Sequence, residues 1–308
     1  MNAGTQSRPV RAAVDGLLLL NKPAGLTSNQ ALQKVKRLLN AKKAGHTGSL
    51  DPAATGMLPL CFGEATKVCA YLLEADKTYR VTGRLGEATD TGDADGEVID
   101  TADIPALDRD DWDRVLQSFV GNIEQVPPMY SALKKDGKRL YELARKGQVV
   151  EREARPVRIN WIELIELSGK RLVFRVSCSK GTYVRTLVED VAKAAGTIAH
   201  TANLHRETVG NFRAEDMLDL PGAEQVAAGG AEALRARLLP ADSALSDWPS
   251  ARVGQADAER FSGGQRIGPG AIPQGLTGYV RVYDEADRFV GIGELAEDGR
   301  LAPRRIFR

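Results

Sequence analysis

The feature that most constrains the fold is a change of hydrophobic period between Leu172 and Val191. Leu172, Phe174, Val176 and Cys178 recur at every second position, whereas Val184, Leu187, Val188 and Val191 recur at i, i+3, i+4 and i+7. The first spacing places apolar groups on one face of a strand and the second on one face of a helix, so SCSKGTYVRT is a strand-to-helix junction. The same succession opens the chain. Leu17 to Leu20 reads as a buried strand, NKPAGLTS as a turn, and Thr27 or Ser28 as the cap of a helix with Leu32, Val35, Leu38 and Leu39 on one face. A further helix is predicted over 64–74, and Tyr79, Val81 and Leu85 predict a strand. The body is therefore mixed α/β (α+β), and 308 residues suffice for about two domains.

The texture changes after Pro221. GAEQVAAGGAEALRARL predicts a linker with a short helix over 221–248. Beyond it, Tyr279 to Tyr283, Phe289 to Leu295 and Leu301 to Phe307 are short alternating runs separated by turns, the pattern of a small β-rich domain over 249–308. Residues 1–14 read as a flexible arm and 15–220 as the main domain. With 43% apolar and 27% charged residues, the composition excludes global disorder, collagen and histone-like polycations. Three cysteines, Cys61, Cys69 and Cys178, without CxxC spacing predict reduced thiols rather than a disulfide framework. The aliphatic run Leu17 to Leu20 is too short for a membrane helix, and MNAGTQSRPVR lacks a signal-peptide apolar core, so a soluble cytoplasmic protein is expected.

The net charge of +1 conceals strongly signed blocks. Lys22 to Leu50 holds six basic residues and no acid, Arg84 to Arg114 eleven acids and three arginines, and Gly121 to Arg185 fourteen basic and seven acidic residues. Such blocks serve equally as solvated faces or as phosphate-binding surfaces.

The least regular stretch is AGHTGSLDPAATGMLPLCFGEATK, Ala44 to Lys67. Its glycines and prolines preclude a regular element, while Leu50, Met57, Leu58, Leu60 and Phe62 require it to pack, and packed irregular loops often hold active sites. Asp51 precedes Pro52, which confines its backbone to extended conformations and fixes the direction of the carboxylate; an Asx-turn capping a bend is the alternative. Metal binding has little support, because His46, His200 and His205 form no HExxH motif and the cysteines are scattered. DTGDADGEVID fails as a calcium loop, since Ala102 stands where the twelfth-position Glu is required. No GxSxG elbow or Walker motif is present.

Eight segments in order, NKPAGLTS, GHTGSLDPAATGMLPLCFGEATK, DKTYRV, DTGDADG, PPMYSALK, REARPV, CSKGTYVRTL and ANLHR, resemble the motifs of the bacterial tRNA pseudouridine synthase B (TruB) family. The C-terminal FSGGQRI and hairpin pattern resemble the RNA-binding PUA-type domain of these enzymes. The resemblance implies a pseudouridine synthase fold, with a mixed, largely antiparallel sheet, as a catalytic domain over 15–220 and a PUA-like domain over 249–308. It further implies a cytoplasmic isomerase that converts uridine-55 in the TΨC loop of tRNA to pseudouridine. No cofactor, metal, membrane or obligate protein partner is implied, and the enzyme is expected to be a monomer.

Residue by residue, Asp51 matches the essential aspartate and Arg185 the arginine that pairs with it; a surface pair with Glu189 is the other reading of Arg185. Tyr79 matches the ring that stacks on the flipped uracil, Tyr183 and Leu204 match base-contacting positions, and His46 matches the histidine that enters the RNA loop. Lys22 lies in a matched motif, either on RNA or supporting the loop. Lys34 to Lys43 and Lys134 to Lys146 are expected to contact phosphates. The rival readings are a guide-RNA-dependent synthase, a non-catalytic tRNA-binding or folding protein, and a small-molecule α/β enzyme using Asp51.

Overall fold

In the computed structural model, which describes residues 11–131, 133–135, 137–272 and 275–307, a nine-stranded sheet organises the body. Its strands are β1 (Gly16–Lys22), β2 (Ala44–His46), β3 (Thr55–Phe62), β4 (Lys77–Leu85), β5 (Gly121–Gln125), β6 (Arg155–Ser168), β7 (Arg171–Cys178), β8 (Ala199–Val209) and β9 (Leu218–Asp219). They lie in the order β9-β1-β3-β8-β4-β7-β6-β5, with β2 added to β3. Within this sheet β9 with β1 and β8 with β3 pair in parallel and the other neighbours are antiparallel, the mixed, largely antiparallel sheet expected. β1 and β3 are buried almost throughout, so they read as continuous apolar runs. On β4, Tyr79, Val81, Gly83 and Leu85 are buried while Arg80 and Arg84 are exposed, the period of two that the sequence shows.

Helices cover both faces. α1 (Ser28–Leu38) starts with a capping box, in which Gln30 N donates to Thr27 Oγ1 at 3.1 Å and Thr27 N donates to Gln30 Oε1 at 2.8 Å. Its Ala31, Leu32 and Val35 pack on Leu18, Leu20, Leu58 and Leu60. The stretch predicted as one helix over 64–74 is a 3-10 turn, Gly63–Val68, followed by α2 (Cys69–Glu74). The Thr66 hydroxyl takes the Gly63 carbonyl at 2.7 Å, an acceptor that an α-helix would give to a backbone amide. Toward the other end of the sheet, α3 (Arg109–Gln117) and α4 (Val184–Ala194) pack over β4, β6 and β7 through Trp112, Leu116, Leu187, Val188 and Val191. A Cβ on Gly83 would stand 3.2 Å from Val188 Cγ1, so the missing side chain lets α4 approach β4 closely.

Two stretches expected to be loose are packed. Of the predicted arm, residues 1–10 lie outside the described residues, but Ala12 bonds with Asn40 and Lys42 through its backbone and Val14 is buried beside Leu39 and Phe62. The predicted linker over 221–248 contributes to the main body instead. Asp219 caps α5 (Leu220–Ala228), and Leu220, Ala223 and Leu234 join the core built by β1 and α1. The Ala- and Gly-rich composition suggested a linker because small side chains leave little periodic signal, yet such side chains allow close packing.

The C-terminal part contains β10 (Ser250–Arg252), α6 (Gln255–Ser262), β11 (Tyr279–Tyr283), β12 (Phe289–Leu295) and β13 (Leu301–Ile306). Its four strands form a second sheet in chain order. This sheet is not isolated from the first: Ile292 and Phe307 are buried in one cluster with Leu17, Met57, Val68 and Leu72. Lys67 Nζ donates to Ile306 O at 2.6 Å, and Tyr283 Oη donates to Asp242 Oδ2 at 2.6 Å, so polar bonds frame the shared core. Burial of one such side chain is worth about 1.5–3 kcal/mol. Truncation after Asp247 should therefore lower the melting temperature of the remaining chain, measured by circular dichroism; an unchanged melt would show that the two sheets do not share a stabilising core.

Candidate active site

The stretch Ala44 to Lys67, expected to hold no regular element, contains β2 and β3, because burial of Met57, Leu58, Leu60, Cys61 and Phe62 in the sheet outweighs its glycines and prolines. Only the segment between the two strands is irregular, and it is held in shape from four directions. Thr47 N donates to Pro59 O at 3.1 Å, Gly25 N donates to Pro52 O at 2.9 Å, and Leu50 N donates to Ser28 Oγ at 2.8 Å. Arg206, buried on β8, donates from Nε to Met57 O at 2.6 Å and from Nη2 to Gly48 O at 2.8 Å. That arrangement requires glycine at position 56. With φ of +99°, its missing Cβ would stand 2.2 Å from Arg206 O.

Lys22, 0% exposed, completes the support from below. Its Nζ donates to Pro23 O, Leu26 O and Pro52 O at 2.9, 2.7 and 3.2 Å. All three ammonium protons are thus directed at carbonyls. Burial pushes its pKa down to about 8, with Asp51 pulling it up and Arg206 pushing it down. Lys22 thus joins the turn after β1 to the loop through the carbonyls of Pro23, Leu26 and Pro52.

These bonds present Asp51 to a cavity of about 180 Å³ lined by Leu50, Tyr79, Tyr130, Tyr183, Arg185 and Leu204 among others. Asp51 Oδ2 is 3.0 Å from Arg185 Nε, and the carboxylate side chain remains 45% exposed while that of Arg185 is 6% exposed. Arg185 Nη1 lies 3.2 Å from Asp93 Oδ2 and donates to Thr91 O at 2.7 Å; Nη2 donates to Tyr130 O at 2.7 Å. The guanidinium therefore pairs with Asp51 and Asp93 rather than with Glu189. Burial raises the Asp51 carboxyl above its ordinary value, Arg185 and Lys22 pull it down, and Asp93 and Asp95 push it up, leaving a net rise.

The structure thus brings Asp51, Tyr79, Tyr183, Arg185 and Leu204 to one cavity. Tyr183 is set by Gln125, which accepts from Tyr183 N at 2.7 Å and donates to Tyr183 O at 3.1 Å. Burial raises the pKa of both tyrosines, so their phenols stay neutral near pH 7. His46 stands apart, half-buried on β2 and outside the cavity lining, with its pKa lowered by burial and by Arg206. A wider recess of about 340 Å³ adjoins Asp51, lined in part by Thr27, Asp93, Tyr141 and Arg145. It brings the exposed Arg145, from the basic segment Lys134 to Lys146, beside Asp51.

Sequence reasoning did not assign Asp93, Arg206, Ser28 or Gln125. Asp93 and Arg206 lie in DTGDADG and ANLHR, so the segments were visible, but their partners are distant in the chain. Ser28 showed only as a possible cap, and Gln125 carries no local signal.

Three family models match in succession: TruB family pseudouridylate synthase (N terminal domain) over residues 36–184, tRNA pseudouridylate synthase B C-terminal domain over 185–246, and pseudouridine synthase II TruB, C-terminal, over 249–307. The chain is 53% identical over 304 residues to tRNA pseudouridine synthase B of Pseudomonas putida strain GB-1, covering 98% of this chain and 99% of that protein. It is 52% identical to the protein of the same name from Pseudomonas aeruginosa strain UCBPP-PA14, again covering 98% and 99%. Among solved structures it is similar to the archaeal box H/ACA sRNP Nop10-Cbf5 complex, with a TM-score of 0.73 and 25% identity over 96% of this chain and 87% of that one. A Cbf5-Nop10-Gar1 complex matches with a TM-score of 0.73 and 25% identity over 100% and 92%.

The electrostatics of the site can be read directly. With aspartate carboxyls labelled with carbon-13, the Asp51 resonance should titrate above the ordinary value of about 3.9. Arg185→Gln should move it further upward, because the cation that favours the ionised form is gone. A downward move would contradict the ion pair.

Proposed function

The chain belongs to the TruB family of tRNA pseudouridine synthases, which are isomerases, and we propose that its target is uridine-55 in the TΨC loop of tRNA. The observation that carries this reading is a half-exposed carboxylate, Asp51, held by the buried Arg185 in a cavity that also contains Tyr79. A duplex does not fit a recess of about 180 Å³, so the target base must leave the RNA stack to reach Asp51. Extrusion costs a few kcal/mol, and a base stacked on an aromatic ring recovers about 1–3 kcal/mol. Tyr79 provides that ring, Leu204 adds an apolar wall, and Tyr183 positions the base edge.

The chemistry is an isomerisation without redox change. The bond from C1′ to N1 breaks, the uracil turns within the cavity, C1′ joins C5, the C5 hydrogen leaves as a proton and N1 takes one up. Attack by Asp51 at C1′, addition to C6, and proton abstraction in a glycal route all require its ionised form. Arg185 favours that form and fixes the direction of the carboxylate. His46, neutral through burial, is assigned to the RNA loop, where a flat uncharged ring can stand among bases. The exposed Arg37, Lys42 and Lys43, with Lys134, Lys135, Lys138, Arg139, Arg145 and Lys146, are assigned to phosphates.

Residues 15–220 are assigned as the catalytic domain and 249–308 as a PUA-like RNA-docking domain. Identity of 53% to tRNA pseudouridine synthase B, against 25% to Cbf5, favours tRNA without a guide RNA or obligate protein partner. No helix among the described residues is long and apolar enough to cross a membrane, and a cytoplasmic monomer is the reading adopted.

The assignment is tested by tritium release from an unmodified tRNA transcript labelled at uridine C5. Release is expected without added metal, nucleotide or guide RNA, and Asp51→Asn should lower kcat by about 10³-fold or more while tRNA still binds. Undiminished turnover by this variant would remove Asp51 from catalysis, and an inactive unsubstituted protein would favour a binding role. Because the Asp51 carboxyl is raised and must be ionised, kcat/KM should fall as pH drops through that raised value; a flat profile down to pH about 3.9 would contradict the ionised requirement.

A further inference from the structure

Where the two sheets meet, Tyr71 of α2, Trp248 and Tyr279 of β11 gather into an aromatic cluster. Trp248 and Tyr279 are stacked, with centroids 5.3 Å apart and planes at 14°, and Tyr71 meets them edge-on at 5.0 and 5.9 Å. Tyr71 and Trp248 pack against the shared core, whereas Tyr279 is 42% exposed. These rings line a cleft of about 320 Å³ together with Glu74, Ala75 and Asp247. Catalysis at Asp51 uses none of them.

We propose that this cleft is a second nucleobase subsite, which stacks an unpaired base of the RNA substrate on Tyr279. The proposal rests on the RNA-modifying reading above and adds a contact to it. An aromatic ring fixed by two others loses little freedom when a base stacks on it, and any base offers a π face. The base must be unpaired, since a base within a duplex has neither an open face nor a free edge. The exposed Asp247 lines the cleft beside these rings, so its carboxylate can accept from an exocyclic amine of the stacked base.

The surroundings suit the backbone of the same nucleotide. Arg304 and Arg305 are exposed on β13, and their charges act on the Tyr71 hydroxyl. Arg304 pairs with Glu294, whereas Arg305 has no carboxylate partner among the described residues and donates only to Arg304 O, at 2.9 Å. Guanidinium groups of this kind bind phosphate. The cleft is also close to the catalytic cavity. Ala75 lines one and Tyr79 the other, and four residues of chain span at most about 14 Å. Glu74 at the cleft pairs with Lys180 in the junction that leads to Tyr183, tying the two places together. One RNA can therefore occupy both, with the second base supplied by the target loop or by the tRNA body.

The test measures equilibrium affinity for a full-length tRNA transcript and for an isolated TΨC stem-loop, with Asp51→Asn present so that neither RNA is turned over. Tyr279→Ala should weaken binding of the full-length transcript about five- to hundredfold, while Tyr279→Phe, which keeps the ring, restores it. Weakening on both RNAs assigns the base to the target loop, and weakening on the full-length transcript alone assigns it to the tRNA body. Irradiation of the complex with the unsubstituted chain should also cross-link RNA to the peptide bearing Tyr279, a readout independent of how the variants fold. Unchanged affinity, a Tyr279→Phe variant as weak as Tyr279→Ala, or no adduct on that peptide overturns the subsite. Loss of uridine isomerisation by the unsubstituted protein would instead overturn the RNA-modifying reading, so the two failures are distinct.

Discussion

The site depends on one buried cation. Arg185 is 5% exposed, and a charged side chain so far from water persists only when its donors are met by acceptors and its charge by counter-charges. Asp51 and Asp93 supply the charges, and the carbonyls of Thr91 and Tyr130 supply further acceptors. Because these groups come from three separate loops and Arg185 from α4, the guanidinium sets the relative positions of everything that faces the cavity. Removing one partner of such an arrangement typically costs 3–5 kcal/mol, since it leaves a buried charge uncompensated. The same bonds that orient the carboxylate thus lock the loops that form the walls.

A second buried cation network lies behind the first. Lys22 and Arg206 donate to carbonyls of the irregular loop, which has few backbone partners of its own. A loop in this position would otherwise leave polar groups unpaired away from water. The network explains how a segment rich in glycine and proline can be as fixed as a strand. It also places positive charge behind Asp51, which opposes the rise that burial and the neighbouring carboxylates Asp93 and Asp95 impose on it. The net result is a carboxyl raised above its ordinary value.

The near-neutral total charge is a poor guide to an RNA partner. Arg145 stands in the recess beside Asp51 and Lys42, Lys43, Lys134, Lys135, Lys138, Arg139 and Lys146 are exposed, while Asp93 from the loop after β4 turns inward to hold Arg185. Part of the acidic block is therefore structural, and the basic blocks remain at the surface. That division of labour lets a local positive field coexist with a net charge of +1.

The period change between β7 and α4, the alternation on β4 and the capping of α1 were legible from local spacing, because strand and helix faces are set by residues close in the chain. Asp51 and Arg185 were legible only through motif resemblance; neither position alone distinguishes a catalytic group from a turn or a surface pair. The packing of residues 221–248 against β1 and the core shared by Leu17, Ile292 and Phe307 had no local signal. Neither did the joining of Asp93 to Arg185 or of Arg206 to Gly48. Sequence by itself determined the main strand and helix faces, the family and the residues able to carry charge chemistry, since these follow from side-chain identity and short-range period. Tertiary structure decided which charges are paired, how far each is withdrawn from water and which rings share a cleft, because these quantities depend on distances between segments far apart in the chain.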